Sequence, residues 1–319
     1  MIFLSGIDPA FMTSKHKIII ISGPTATGKT ECGIDLALSF NGEIVNCDSR
    51  QVYKYMDIGT AKPDARQRAA VKHYMLDVIE PSVRFSAARY VDMADESIEA
   101  IIGSGRVPFV VGGTGLYIKV LLHGLAPIPH IDDAVRTEIR RQQEQYGNDA
   151  LYQRLKQVDP EDASCIRQND TYRLVRALEV FTATGKPLRT YLDQHRFLQK
   201  RYDYFYIVLH NPDKKGYHAV IERRVDRMIE QGLVDEVRWL IDHGYGITLP
   251  VMKTVGYAEI SAYLNNKTDR DTAVELIKKH TKSYAKRQVT WFKRIEDAVW
   301  TDASGKDDMK DRIKRFIYA

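Results

Sequence analysis

An α/β fold built on a parallel sheet is predicted by three features of the chain. An apolar run, Ile18 to Ile21, feeds directly into the glycine-rich segment Gly23-Pro24-Thr25-Ala26-Thr27-Gly28-Lys29-Thr30. Further apolar runs near 43–46, 75–79, 107–111 and 204–210 are set apart by turn signals, with helical periodicity in several of the gaps. The gap from 112 to 203 is too long for one crossover. Alternation of strands and helices predicts a parallel sheet wrapped by helices, and the long gap then holds an all-helical insertion.

The first strand, near 17–22, delivers a segment that matches G-x-x-x-x-G-K-[ST] at every required place. Its glycines let backbone N–H groups converge on oxyanions, a helix N-terminus adds positive dipole, Lys29 neutralises charge, and the Thr30 hydroxyl suits Mg²⁺. A glycine-rich turn without a ligand would need neither the Lys-Thr pair nor the buried strand before it. The core is therefore of the P-loop, nucleotide-binding kind, with the ATP-binding motif cradling a diphosphate or triphosphate. In an open parallel sheet ligands collect beyond the C-terminal ends of the strands. The second strand delivers Asn46-Cys47-Asp48-Ser49-Arg50-Gln51 to that rim, and the fourth delivers Gly112-Gly113-Thr114-Gly115. A nucleotide hydrolase usually ends such a strand in an acid; this one ends in glycines. Asp77, within the 75–79 run, is the one substitute, so water activation for hydrolysis loses support.

Within the gap, Asp132–Tyr146, Asp149–Gln157, Pro160–Ile166 and Thr171–Thr184 read as helices, the last closed by Gly185. After the last strand, helices are expected at Gly216–Gln231, Val234–His243, Val255–Leu264 and Thr272–Arg294. The expected organisation is a P-loop core from 17–124 and 201–319 with a helical C-terminal region, and a helical insertion at 125–200. Residues 1–16 read as an N-terminal extension expected to be disordered. Met12 serves equally well as a start, which would make residues 1–11 dispensable.

Composition fits an ordinary soluble enzyme. Hydrophobic content of 44% with 28% charged residues excludes disordered and membrane classes. No apolar run approaches the roughly 20 residues that span a bilayer, and no basic segment precedes Ile2-Phe3-Leu4 to make a signal peptide. Cys32, Cys47 and Cys165 lack C-x-x-C spacing, which argues against disulfides and zinc and suits a reducing cytoplasm. Between Leu276 and Ile295 lie seven basic residues (Lys278, Lys279, Lys282, Lys286, Arg287, Lys293, Arg294) and no acid. Interleaved with Tyr284, Trp291 and Phe292, this stripe is either a solvated helix face or the footprint of a polyanion.

An aspartate after a strand, as Asp48 is, can coordinate Mg²⁺ through water, cap a helix or accept a proton from a nucleophile. Residue type alone does not choose among these.

Taken together, GPTATGKT (Gly23 to Thr30), DSRQVY (Asp48 to Tyr53) continuing into Met56 to Pro63, and GGTGLY (Gly112 to Tyr117) resemble the bacterial tRNA dimethylallyltransferase family. The likeness continues through Asn169-Asp170, RLVRALEV (Arg173 to Val180), Val255-Gly256-Tyr257 and YAKRQVTWF (Tyr284 to Phe292). A P-loop alone is shared with many nucleotide-binding proteins; these motifs in this order are specific. The resemblance implies transfer of a dimethylallyl group from dimethylallyl diphosphate to N6 of the adenosine just 3′ of the anticodon, in tRNAs reading codons that begin with U. It implies Mg²⁺ as cofactor, the tRNA anticodon stem-loop as partner, no membrane, and a monomer. The cradle would then hold a leaving group, which needs no hydrolytic acid.

By that resemblance Asp48 is the base that takes the N6 proton, Thr114 lies beside the acceptor amine, and Thr30 meets Mg²⁺. Ser49, Arg50 and Gln51 would read the extruded base and its neighbours, Gln51 both donating and accepting. Arg136, Arg173 and Arg176 resemble contacts to the tRNA backbone, with surface salt bridges as the alternative. Lys282, Lys286 and Arg287 resemble part of a wall that tracks phosphates. Arg223 and Arg224 compete for the diphosphate contact; Arg224 fits the spacing to Met228 and Gly232 better. Thr27 stands where relatives often have Ser, and Val220 where they often carry a second arginine. No Cys or His pair follows His280 in this sequence, so a zinc module like that of eukaryotic relatives is not expected within it. Two other activities use the same cradle: adenylate dimethylallyl transfer, which has no use for the insertion or the basic helix, and small-molecule phosphorylation with Asp48 as base.

Overall fold

The structure is a computed structural model that describes residues 16–319, so the expected N-terminal extension lies outside the described residues except for His16. In chain order the elements are β1 (Lys17–Ser22), α1 (Lys29–Ser39), β2 (Gly42–Asn46), α2 (Ala65–Ala70), β3 (His73–Tyr74), α3 (Ala87–Gly103), β4 (Val107–Val111) and α4 (Gly115–His123). There follow α5 (Asp133–Val158), α6 (Pro160–Cys165), α7 (Thr171–Thr184), α8 (Leu188–His195), β5 (Asp203–Leu209), α9 (Lys214–Glu230) and α10 (Leu233–Asp242). The chain ends in α11 (Tyr257–Leu264), α12 (Arg270–Phe292), β6 (Val299–Thr301) and α13 (Lys306–Tyr318).

The chain divides into two compact units, one running up to Leu122 and again from Arg201, the other spanning His123–Lys200. In the first, six parallel strands form one sheet in the order β3-β2-β4-β1-β5-β6. Ile18 to Ile21 of β1 are all fully buried because successive side chains serve opposite faces. Ile18 and Ile20 pack with α3 and α4, and Ile19 and Ile21 with α1 and α13. The register sets Ile21 and Asn46 beside Val111, and Ser22 beside Val208, so β1, β2, β4 and β5 end on a common rim.

The 75–79 run is a correction. Only His73 and Tyr74 pair in the sheet, because Met75 (φ 65°) and Asp77 (φ 56°) are left-handed and turn the chain away. Asp77 then pairs with Lys62 (2.5 Å) and Arg68 (2.8 Å), so it cannot serve as a free strand-end acid on the rim. Elements β6, α8 and α13 were not expected from the sequence, and α11 begins at Tyr257 because Gly256 has φ 97°.

The second unit is all-helical, with Ile139, Leu151, Leu155, Leu174 and Leu178 in its core. Gly147 (φ 75°, ψ 179°) breaks α5 into two arms that correspond to the helices expected at 132–146 and 149–157. Among the described residues no helix is long and apolar enough to cross a membrane.

Gly112 must be glycine: a Cβ there would lie 2.0 Å from the Cys47 carbonyl oxygen. Gly112→Ala is expected to destabilise the protein by about 3 kcal/mol in denaturant unfolding, because two strand exits would have to separate. Gly103, with open space around it, is the control; Gly103→Ala should change stability by no more than about 1 kcal/mol.

Candidate active site

The glycine loop closes tightly against the neighbouring strand. Gly23 has φ 144°, and a Cβ there would sit 2.2 Å from the Leu209 carbonyl oxygen; Gly28, at φ 81°, opens α1. The Thr27 hydroxyl (2.9 Å) and Lys29 Nζ (2.7 Å) both donate to the Pro24 carbonyl, folding the loop over the helix start. Ala26 is also left-handed, at φ 63°. Burial and the Arg224 guanidinium push Lys29 down to about 7, with Asp48 opposing them. A lysine so tuned is short of an anion, and a diphosphate would supply one. Thr30 presents its hydroxyl in the first turn of α1. Among the described residues no group of His, Cys, Asp and Glu gathers to hold a metal. The Thr30 hydroxyl is an oxygen donor of the kind a hard cation such as Mg²⁺ takes.

Asp48 leaves β2 braced on both sides. The Cys47 N–H donates to Val111 O (2.7 Å), and the Thr114 N–H donates to Cys47 O (3.1 Å). Thr114 Oγ1 accepts from the Ser49 N–H at 2.9 Å. Asp48 Oδ1 accepts from the Arg50 N–H (2.8 Å) and the Gln51 N–H (3.4 Å). The capping role is therefore real, and it fixes the carboxylate while leaving Oδ2 without a hydrogen bond among the described residues. The same carboxylate raises the proton affinity of both Lys29 and Arg224, so acid, lysine and arginine form one charge cluster on the rim.

Of the adjacent arginines, Arg224 faces this cluster, its proton affinity lowered by desolvation and favoured by Asp48, whereas Arg223 is exposed. Ser49 and Arg50 are half-buried on the same turn. Gln51 is buried, and its amide donates to Thr60 O (3.0 Å) and Ala61 O (3.1 Å). Its donors are spent on the loop 56–63, leaving it no N–H for a base edge. That loop is itself pinned by Glu236, which accepts from the N–H groups of Asp57 (2.9 Å), Ile58 (2.7 Å) and Gly59 (3.2 Å).

The basic stripe on α12 is only partly a free face. Lys278 pairs with Asp226 (2.9 Å) and Lys282 with Glu222, both acids contributed by α9. Lys286 and Arg287 are exposed and make no ion pair among the described residues; Arg287 lies over the Tyr284 ring. Phe292 is core and Trp291 packs against it, so Tyr284 is the stripe's aromatic at the site, its hydroxyl pushed up by burial and Asp48. In the helical unit, Arg136 pairs with Asp133 (3.0 Å), Arg173 with Asp170 (3.4 Å) and Arg176 with Glu179 (3.4 Å). Each of these arginines has a salt-bridge partner; the exposed Arg136 and Arg173 pairs contribute only about 0.3–0.5 kcal/mol each, whereas Arg176 pairs with the buried Glu179 and is held more firmly.

Two residues escaped the sequence reading. The Tyr217 hydroxyl donates to Thr25 O (2.5 Å), and Gln288 accepts from the Thr25 N–H (2.9 Å) while donating to Gly113 O (2.9 Å). Helical spacing marks both: Tyr217, Ile221 and Arg224 share one face of α9, and Ala285, Gln288 and Phe292 one face of α12.

The IPP transferase family model matches residues 51–295. A tRNA dimethylallyltransferase of Geobacter metallireducens is 44% identical, covering 92% of this chain and 95% of its own. A second from Geotalea uraniireducens is 47% identical, covering 90% and 93%. The solved full-length tRNA isopentenylpyrophosphate transferase of Bacillus halodurans is similar with TM-score 0.71 and 35% identity, covering 95% of this chain and 97% of that one. A eukaryotic dimethylallyltransferase acting on tRNA is similar with TM-score 0.75 and 28% identity, covering 90% and 74%.

Proposed function

This chain belongs to the IPP transferase family, and on that premise we propose that it transfers a dimethylallyl group from dimethylallyl diphosphate to N6 of a tRNA adenosine. The acceptor is the adenosine immediately 3′ of the anticodon in tRNAs reading UNN codons, and the products are N6-(dimethylallyl)adenosine and diphosphate. The observation that carries this reading is the cluster of Lys29, Arg224 and Asp48 on a rim whose β4 exit carries glycines instead of a hydrolytic acid.

The diphosphate lies in the cradle of Gly23 to Thr30, its oxygens met by backbone N–H groups, Lys29 and Arg224. As the allylic carbon–oxygen bond breaks, its electron pair stays on the diphosphate, where these donors stabilise the growing charge. The carbon–nitrogen bond forms at N6, whose lone pair is delocalised into the ring, and the proton leaves for Asp48 Oδ2. The Thr30 hydroxyl would hold Mg²⁺, which when bound would supply further charge neutralisation. The base reaches Asp48 only when extruded from the anticodon loop, at a cost of a few kcal/mol offset by stacking and phosphate contacts. Tyr284 and Arg50, beside Asp48, are placed to receive it, with Ser49 and Thr114 bracing the turn. Lys282, Lys286, Arg287 and the insertion arginines Arg136, Arg173 and Arg176 contact the tRNA backbone. The protein works as a monomer in the reducing cytoplasm.

Incubation with labelled dimethylallyl diphosphate, Mg²⁺ and unmodified tRNA, followed by nucleoside digestion, should yield N6-(dimethylallyl)adenosine. Product on free AMP alone, or ADP release with a phosphorylated product, would replace this reading.

The ion pairs on α12 give a graded expectation for tRNA binding. Lys286→Ala and Arg287→Ala should each lower the slope of log K against log salt by about 0.7–0.9. Lys282→Ala should lower it less, because Glu222 already neutralises that charge. Filter binding of unmodified tRNA across a salt series checks the order.

A further inference from the structure

We propose that Gln288 is a positioning residue that sets the distance between the diphosphate cradle and the catalytic carboxylate. The inference rests on the transferase reading of the site, and Gln288 touches neither substrate in it.

The two substrates are held by loops from different strands. The cradle follows β1; the turn that carries Asp48 follows β2 and is braced by Thr114 after β4. Gln288 is the side chain that joins them. It is buried, its Oε1 accepts from the Thr25 N–H at 2.9 Å, and its Nε2 donates to Gly113 O at 2.9 Å. The connection continues without a gap. Gly113 adjoins Thr114, whose hydroxyl oxygen accepts from the Ser49 N–H at 2.9 Å and whose own N–H bonds to Cys47 O at 3.1 Å. Asp48 lies between Cys47 and Ser49. Gly113 also fits this arrangement, since a Cβ there would lie 2.5 Å from Gln288 Nε2.

An amide is the group this position requires. One end must accept and the other must donate, because one loop offers an N–H and the other a carbonyl. A carboxylate, a lysine or an apolar side chain satisfies at most one of them. The helix that carries Gln288 also carries Lys286 and Arg287 on its exposed face. Reaction geometry is steep: a misplacement of about 1 Å costs on the order of 10²-fold in rate.

Gln288→Ala and Gln288→Glu are expected to lower single-turnover prenylation of tRNA by on the order of 10²-fold, with diphosphate and tRNA affinities close to wild type. Gln288→Glu carries a second signature. Its carboxylate faces the Gly113 carbonyl at high pH, whereas its neutral acid, favoured by burial, can donate to that oxygen. The ratio of Gln288→Glu to wild-type rate should therefore rise as pH falls, while the Gln288→Ala ratio stays flat. Lys29, Arg224, Tyr217 and Tyr284 are common to all three proteins, and Gln288→Ala, which adds no charge, is the control for their own titration.

Hydrogen exchange gives a readout independent of turnover: in Gln288→Ala, amides of both 23–30 and 112–117 should exchange faster than in wild type. Wild-type rates in both variants, equal pH ratios, or faster exchange in one loop only would overturn the proposal. A wild-type protein that fails to prenylate tRNA would overturn the functional reading instead, leaving the exchange result to decide the role of Gln288.

Discussion

Asp48→Asn should lower the rate of the chemical step by about 10²- to 10⁴-fold while leaving tRNA and diphosphate affinity within a few-fold of wild type. Asparagine is the informative substitution because the proposed reaction gives Asp48 a second duty beside its capping one. Its Oδ1 holds the turn by accepting from the Arg50 and Gln51 N–H groups, a task the asparagine oxygen retains. Its proton-accepting capacity is what asparagine removes. Asp48→Ala removes both, so it should show the same kinetic loss together with about 1 kcal/mol less stability. Single-turnover kinetics on unmodified tRNA, with denaturant unfolding of each variant, separates the two duties. If Asp48→Asn stays within tenfold of wild type, the carboxylate is only a cap.

That dual role shows where sequence reasoning stopped. The rim was legible because β1, β2, β4 and β5 are fully or largely buried and therefore written as apolar runs. Strand β6 was not, since Val299–Thr301 is a short, half-buried edge with no run to detect. The 75–79 segment differs for the opposite reason: Met75 packs into the sheet core while Ile79 is buried with Val52 and Tyr53, off the sheet, once Met75 and Asp77 turn left-handed.

The site divides the same way. The P-loop and Asp48 follow strand ends, so their placement came with the sheet. The position of Gln51 in the motif suggests a reading role, whereas its engagement with Thr60 and Ala61 is a tertiary fact. The missing acids of α12 were likewise supplied by α9, across a helix packing that one-helix charge counting cannot include. Gln288 is inconspicuous inside a basic stripe because a neutral amide carries no charge; helical spacing sets it on the buried face of α12, and its two partners show what it does there.

Lys29 gives the second large effect, and its sign follows from burial. In the free protein desolvation and then Arg224 hold it down to about 7. A bound diphosphate favours the ammonium, so binding above pH 7 must take up a proton. The difference in proton uptake between wild type and Lys29→Met should be near zero well below pH 7 and approach one proton well above it. Diphosphate affinity of the wild type should fall over the same range. Calorimetry in buffers of different ionisation enthalpy measures the uptake, and subtracting the Lys29→Met value removes the ligand's own titration. Stability moves oppositely to binding. Below about 7 both folded and unfolded chains keep this proton, and the folded state carries the full cost of a buried cation; between about 7 and the ordinary lysine value of 10.5 that cost falls away. Lys29→Met should therefore bind diphosphate far more weakly yet unfold at higher temperature at neutral or lower pH, since the Pro24 carbonyl keeps the Thr27 hydroxyl as donor. Equal proton uptake in the two proteins would mean that the cradle's charge is supplied elsewhere, with Arg224 the remaining buried cation in the cluster.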